Sequence, residues 1–329
     1  AIGRNAMKST AANAVTGQVA IGHYALSALT SGDANLAIGY EALKVHTTGG
    51  NNIAIGYGAM DDTDAGSTSL GSTENIFIGY DAGGGTWADA ASTHNVVVGN
   101  YSMDSPLNGA TGNTTIGYQC LTDLTQGDQN TALGYRSLHQ VTTGGDNIGI
   151  GARNGYETLG SSLTPTGTNN IAIGNNAMGV YYINDLTGSH NIALGTEAGG
   201  RNTTGSDNIF LGSSAGMNNY NGSQNTFIGR LADVNSDRGY NNGYTNATAI
   251  GYEAKVSGSN KIQLGNGSVT NVSTWGTLTA GTVTYPNVHN SIANQVLTIN
   301  AAGTASWAPN SSASLSGGVA GAIPYQSGV

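Results

Sequence analysis

One short pattern recurs along most of the chain and limits what it can fold into. The pattern is G-x-x-N-φ-x-φ-G, where φ is an aliphatic residue or Thr, and a clear copy runs from Gly49 to Gly56. We call the last glycine of each copy the index glycine. There are fifteen: Gly3, Gly22, Gly39, Gly56, Gly79, Gly99, Gly117, Gly134, Gly151, Gly174, Gly195, Gly212, Gly229, Gly251 and Gly265. So short a unit cannot bury an apolar face alone, so the copies must stack on one another.

The residues before each index glycine alternate in a way that predicts a short β-strand. The preceding residue is Ile, Val or Leu in every copy, and the residue two positions earlier is aliphatic or Thr. The residue between them is usually small, with Phe77, Phe210 and Phe227 as exceptions. We expect the aliphatic residues to supply a thin core, with the small residue three positions after the glycine as a second inward step. The predicted fold is an all-β parallel β-roll or β-solenoid of about fifteen repeats.

Two further positions predict columns of identical side chains along the solenoid. Asn lies four residues before the index glycine in eleven copies: Asn35, Asn52, Asn75, Asn95, Asn113, Asn130, Asn147, Asn170, Asn191, Asn208 and Asn225. Such residues suit a corner and predict an amide ladder. Tyr follows the index glycine in six copies: Tyr40, Tyr57, Tyr80, Tyr118, Tyr135 and Tyr252. These rings are expected to stack along one edge.

Composition excludes several classes of function. Charged residues make up 9 % of the chain and the net charge is −9, so a basic nucleic-acid-binding face is not expected. A single cysteine, Cys120, rules out an intrachain disulfide framework, and no apolar run is long enough to insert in a membrane. The chain begins within the repeat pattern and without Met, which suggests a fragment of a longer polypeptide.

The repeat resembles the head of trimeric autotransporter adhesins of the YadA type. The segment from Ile250 to Gly265 is similar to that family's short coil, while the other coils are longer. The resemblance implies a parallel β-roll that assembles as a homotrimer. The T-T-G-x-x-N connections also resemble bacteriophage tail fibres. Residues 276–286, 295–300 and 305–307 are similar to fibre segments that precede an intramolecular chaperone of the endosialidase type, and Ala322–Ser327 resembles a fibre linker.

The organisation predicted from these patterns has three parts. Residues 1–265 form the repeat array. Residues 266–310, where the period stops and Thr alternates with Val, form a β neck or stalk module. Residues 311–329 are rich in Ser and Gly and form a linker to a further C-terminal region.

No group of residues predicts catalysis, a cofactor or a metal site. The acidic loop of Asp61, Asp62 and Asp64 lacks a calcium-loop spacing, and His94 and His190 are expected at corners without a metal. Aromatic residues in the longer insertions are the candidates for receptor contact, because aromatic loops on a rigid scaffold suit recognition. These candidates are Trp87, Tyr156, Tyr181, Tyr182, Tyr220, Tyr240 and Tyr244.

The sequence therefore predicts a structural and adhesive protein rather than an enzyme. The first hypothesis is a homotrimeric rod of a phage tail fibre or other virion appendage, which works with other virion or fibre proteins and a host glycan or protein receptor. The alternative is the head of a bacterial trimeric autotransporter adhesin on the cell surface. A solenoid enzyme or an ice-binding protein is a third reading, against which the scattered carboxylates and irregular Thr placement argue.

Overall fold

A computed structural model describes residues 1–9, 15–63, 71–88, 90–155, 166–179, 187–235 and 243–273, and the backbone of four later strands within 278–309. Every regular element in this part of the chain is a β-strand. The strands are β1 Val19–Ile21, β2 Leu36–Ile38, β3 Ile53–Ile55, β4 Ile76–Ile78, β5 Val96–Val98, β6 Thr114–Ile116, β7 Thr131–Leu133, β8 Ile148–Ile150, β9 Ile171–Ile173, β10 Ile192–Leu194, β11 Ile209–Leu211, β12 Thr226–Ile228, β13 Asp233–Val234, β14 Thr248–Ile250, β15 Lys255–Val256, β16 Ile262–Leu264, β17 Leu278–Ala280, β18 Val283–Tyr285, β19 Gln295–Ile299 and β20 Ala305–Pro309. None of the residues described belongs to a helix that could cross a membrane. The predicted all-β solenoid is confirmed.

Fourteen of these strands form one parallel sheet in which each strand lies directly on the next. The order is β1 to β12, then β14 and β16, so neighbours in space are neighbours in the repeat. The strands pair without offset, with Ile53 beside Ile76 and Ala54 beside Phe77. At about 4.8 Å per strand, the sheet is about 60 Å long. We call the segment from one index glycine to the next a coil.

The two faces of each strand are the reverse of our expectation. The middle residue is buried, as at Ala37, Ala54 and Val97, each 0 % exposed, while the aliphatic residues on either side are only partly covered. The opposite wall consists of the third and fourth residues after the index glycine, such as Ala42 and Leu43, which are also buried. Because the fourth residue after the index glycine is often a buried Leu or Met, such as Leu43 or Met60, the space left for the middle residue of the strand is usually small. The bulky β-branched residues therefore point outward.

The interior is filled by complementary volumes across the coil. Where the middle residue is Ala37, the residue four after the index glycine is Leu43. Where the middle residue is Phe77, that position is Gly83, and a Cβ added there would lie 2.5 Å from the Phe77 ring. The ring of Phe77 thus requires a glycine on the opposite wall, and Gly216 does the same for Phe210.

A buried ladder of asparagine side chains runs along the sheet, as predicted. Asn130 Oδ1 accepts the backbone N–H of Asn147 at 3.0 Å and its side-chain amide at 3.1 Å. Asn130 Nδ2 in turn donates to Asn113 Oδ1 and to the Gly144 carbonyl, both at 3.0 Å. Gln18 begins the ladder in place of Asn, since its Oε1 accepts the N–H of Asn35 at 3.1 Å. The ladder satisfies polar groups that would otherwise be buried without partners.

The turn after each strand is left-handed rather than helical. Glu41 and Leu43, for example, have φ values of 59° and 51°. The same two positions have positive φ in most coils, for example Gln119 and Leu121. Non-glycine residues adopt this region at some cost in free energy, which the stacking of one coil on the next offsets.

The index glycines form a column with no space for a side chain. Gly56 has φ +144°, and a Cβ added to it would overlap the carbonyl oxygen of Gly79 in the next coil. The same overlap recurs at Gly39 and Gly99. The index position therefore requires glycine for two reasons, its conformation and the close approach of a second backbone.

The chain divides into a compact unit Ala1–Ser268 and a second unit Val269–Val329. In the first unit, β13 and β15 add a small parallel pair, and Ile2 bridges Ile21 at the first copy of the repeat. In the second unit, β17 pairs antiparallel with β18, and β19 pairs antiparallel with β20. The role of residues 266–310 as a neck stays a prediction, and residues 311–329 lie outside the described part.

Replacement of one index glycine by alanine tests the glycine column. Gly56→Ala is expected to lower the free energy of unfolding by about 3 kcal/mol or more, through strain and overlap with the next coil. Gly258→Ala is the control, because its Cβ would lie 3.5 Å from the flexible Lys261 side chain and its φ is unstrained. Urea unfolding measures both. Equal stability of the two variants would contradict the close approach.

Removal of one amide tests the ladder. Asn130→Ala deletes hydrogen bonds to both neighbouring coils and leaves buried backbone groups unpaired, so we expect a loss of about 3 kcal/mol. Gln18→Ala, at the partly exposed start of the ladder, is expected to lose less than half as much. The comparison is again by urea unfolding. Similar and small decreases in the free energy of unfolding for both variants would contradict a stabilising role of the ladder.

Candidate functional site

The outer side of the fourteen-stranded sheet is an exposed apolar surface. We define the outer aliphatic face as the residues one and three positions before each index glycine, from Val19 and Ile21 to Ile262 and Leu264. The residue immediately before the glycine is aliphatic in every strand. Ile116 is 51 % exposed and Leu211 is 43 % exposed, while the middle residue of the strand is buried in every strand of the sheet except β16. The face is therefore not part of the interior of this chain.

The outer aliphatic face is as large as the largest apolar patches on monomeric proteins. It is about 60 Å long and one three-residue strand, or about 10 Å, wide. Its outline is thus about 600 Å², which is the upper end of the apolar patches that monomers expose, and patches of this size mark interaction sites. The sequence pattern revealed the alternation but not which side faced out.

A second surface feature is a column of stacked aromatic rings. We define the tyrosine column by its members: Tyr40, Tyr57, Tyr80, Tyr101, Tyr118 and Tyr135. Ring centroids of Tyr40 and Tyr57 are 4.8 Å apart and nearly parallel, and those of Tyr57 and Tyr80 are 5.0 Å apart. Tyr118 and Tyr135 also stack, at 5.6 Å. Of the six tyrosines that follow an index glycine, five therefore stack as predicted, all except Tyr252.

The ends and the middle of the tyrosine column depart from the simple pattern. Asn100 follows the index glycine Gly99, so Tyr101, one residue later, links Tyr80 to Tyr118 through tilted and edge-on contacts. His23 stacks on Tyr40 at one end, and Arg153 lies over Tyr135 at the other. Tyr252 stands outside the column, where Arg230 covers its ring.

The tyrosine column offers edges and hydroxyl groups rather than ring faces. Tyr40, Tyr57 and Tyr135 are 41 to 48 % exposed, but each face is covered by a neighbouring ring or by Arg153. Sugar rings and cations bind to free aromatic faces. The column therefore lacks the geometry of a sugar-stacking platform, and its available chemistry is hydrogen bonding by phenolic hydroxyls.

Acidic residues are concentrated in the coils that carry most of the tyrosine column. Residues 33–128 contain eleven of the nineteen acidic residues and one of the ten basic residues. Burial, with the nearby charge of Asp81, raises the pKa of Asp61 to about 6 and that of Asp104 to about 6. Burial also raises the pKa of Asp81. The carboxylates destabilise the folded chain at neutral pH because they are partly buried and close to one another.

Three of the seven predicted receptor residues, Trp87, Tyr220 and Tyr244, lie in the described part of the chain. Trp87 is a correction: it is 0 % exposed, its ring packs against Phe77 at 5.7 Å, and its indole N–H donates to the Gly83 carbonyl. The longer coil that contains it uses the indole to fill the interior, so the ring is not available to a receptor. Tyr156, Tyr181, Tyr182 and Tyr240 lie outside the described residues.

The two remaining candidates have partly covered side chains. Tyr220 accepts a hydrogen bond from Arg201 Nη1 at 3.2 Å through its hydroxyl. Tyr244 packs partly against the core. Neither belongs to the tyrosine column. Their role in receptor contact stays a prediction.

The other groups singled out in the sequence have ordinary surroundings. Cys120 is buried, its Sγ lies 2.7 Å from the Gly134 carbonyl oxygen, and burial raises the pKa of its thiol to about 11. His94 is exposed and pairs with Glu74, and His190 is exposed as well. In the described ranges no three His, Cys, Asp or Glu side chains are arranged to hold a metal ion.

The raised pKa values of Asp61 and Asp104 predict that acid stabilises the fold. A carboxyl whose pKa is about 6 when folded and 3.8 when unfolded adds stability below pH 4, which is lost as the pH rises through 6. Asp104→Asn should therefore raise stability at pH 7 by about 1 kcal/mol, after allowance for its half-exposed position. Thermal unfolding between pH 4 and 7 measures the effect.

The matched control is Asp207→Asn, the same chemical change at an exposed residue with φ 59° that asparagine tolerates. It should leave the slope of stability with pH unchanged. A native chain that is less stable at pH 4.5 than at pH 7 would contradict the prediction.

Comparison with known proteins adds no relative to this description. Models of protein families, curated proteins and solved structures were compared with the chain, and none of them matched it.

Proposed function

We propose that this chain is a structural and adhesive subunit of a homotrimeric fibre, the rigid segment of a phage tail fibre or related virion appendage. The outer aliphatic face carries the proposal. Two rows of outward side chains, all Ile, Val or Leu except for a Thr in four strands, extend along the fourteen strands without a covering element among the described residues. Water contact along such a face is unfavourable, and further copies of the same chain have a matching repeat of about 4.8 Å.

The area of the face suits association between copies. Its outline of about 600 Å², widened by the flanking side chains, approaches the roughly 800 Å² that each partner buries in a stable interface. A face one strand wide can meet two neighbours around a threefold axis, as the resemblance to adhesin heads implies. Three chains together enclose a core that one coil is too thin to supply.

The remaining surface fits a rod that acts mechanically. The sheet and the amide ladder connect every coil to the next by hydrogen bonds in both backbone and side chains. Charged residues make up only 9 % of the chain, which limits nonspecific attraction. Such a rod would hold receptor-binding parts away from the particle, and three copies would give multivalent contact with a host glycan or protein.

The head of a bacterial trimeric autotransporter adhesin is the second candidate, since the same repeat supports it. Its mechanics would be the same, with the cell surface in place of the virion. The full-length gene separates the two: a signal peptide and a C-terminal β-barrel anchor identify an adhesin, whereas a C-terminal chaperone domain identifies a fibre.

The absolute mass of the chain in solution tests the assembly. We expect light scattering to give three times the chain mass of 33.1 kDa, with resistance to SDS at room temperature. The double variant Ile55→Asp/Ile78→Asp should fall to the mass of one chain, because association would bury two carboxylates on an apolar face. Its circular dichroism should match that of the native chain.

Asn51→Asp supplies the control for charge. It adds a carboxylate to the same coil at an exposed position with φ 60°, away from the outer aliphatic face. It should assemble like the native chain. A native chain that remains a monomer at every concentration would refute the trimeric proposal.

A further inference from the structure

Four threonines interrupt the outer aliphatic face, and they come in two pairs on neighbouring strands. Thr114 in β6 lies beside Thr131 in β7, and Thr226 in β12 lies beside Thr248 in β14. The ten other strands of the sheet have Ile, Val or Leu at this position. The hydroxyls therefore lie at two places along the stack of strands, on a surface that is otherwise apolar.

These outward hydroxyls have no partner within the described part of the chain. The backbone N–H groups of Thr114 and Thr131 join the sheet, and their side chains are half-buried on its outer side. Thr115, on the inner side of the same strand, differs: its hydroxyl lies 2.8 Å from Ser102 Oγ. Inside the coil the fold supplies a polar partner, and outside it supplies none.

We infer that the pairs Thr114/Thr131 and Thr226/Thr248 set the axial register between copies of this chain. The inference rests on the proposed association through the outer aliphatic face. Copies aligned in parallel at the same height bring hydroxyls of equivalent threonines to one level, where each can donate to and accept from its counterparts. The two pairs would then form two polar layers in an apolar interface.

A shift between copies would remove this pairing. Apart from the four threonines, the aliphatic rows repeat from strand to strand, so the aliphatic side chains match equally well after a slip of one strand of about 4.8 Å. The threonine pairs do not repeat in this way, and among parallel alignments only the one without a shift pairs all four. Any other alignment leaves hydroxyls against Ile, Val or Leu, which is unfavourable. A single polar layer specifies register in coiled coils by the same physics.

Disulfide trapping between copies tests the inference. The background is Cys120→Ala, since alanine fills the equivalent buried place at Ala25 and Ala42. One tagged chain carries Ile55→Cys and one untagged chain carries Ile78→Cys, one strand further along the face. After co-expression and oxidation, copies in register should form disulfides between like chains only.

Replacement of all four threonines by valine should remove the selection of register. We expect mixed disulfides to be below about one tenth of the like pairs in the native sequence and to increase about tenfold in the valine variant, equivalent to about 1.4 kcal/mol. Thr115→Val is the control, since its hydroxyl faces the interior, and it should keep the native ratio.

The outcomes separate this inference from the proposed function. A valine variant that assembles with an unchanged ratio of mixed to like disulfides would overturn the role of the threonines and leave the trimer in place. Abundant mixed disulfides in the chain that keeps all four threonines would also overturn the role of the threonines and leave the trimer in place. A chain that stays monomeric, or an assembly without either disulfide, would overturn the contact between outer faces and the inference with it.

Discussion

The stacking of each coil on the next without offset is the constraint on which the rest of the structure depends. Since the strands pair in register, every side chain meets the residue at the same position one coil away. Each position must therefore be filled by a residue that interacts well with its own kind. Asparagine accepts and donates amide hydrogen bonds, tyrosine stacks, aliphatic residues pack, and glycine lets two backbones approach.

This constraint explains which parts of the fold the sequence could predict. The index glycines, the amide ladder and the stacked tyrosines each leave a trace at a fixed spacing, so their partners followed from the repeat. Which face of the strand points into the interior did not follow from the repeat. Alternation separates two faces, and the usual rule places the bulkier apolar residues inside, but Ala54 lies in the narrow interior and Ile55 faces out. The left-handed turns were missed because Glu41 and Leu43 carry no signal for positive φ.

The outer aliphatic face was not predicted as a surface. Recognition was assigned to aromatic residues of the insertions, yet Trp87 fills a core, and among the described residues the regular strands carry an extended apolar surface. That surface was hidden in the sequence because its residues are the same ones that a buried strand would use. Pattern alone could not separate an interior from an interface, since both exclude water. The sequence signal was the small middle residue of the strand. It indicates an interior too narrow for the larger aliphatic side chains of the same strand.

The amide ladder also has a direction. Each asparagine oxygen accepts from the coil that follows it in the chain, from Gln18 through Asn130 to Asn225, whose Oδ1 accepts the N–H of Ala247. A coil that is already in place therefore presents ready acceptors to the segment synthesised next. Growth from the N-terminal end needs no long-range search, because each addition closes only one short loop. The solenoid is thus suited to folding during translation, one coil at a time.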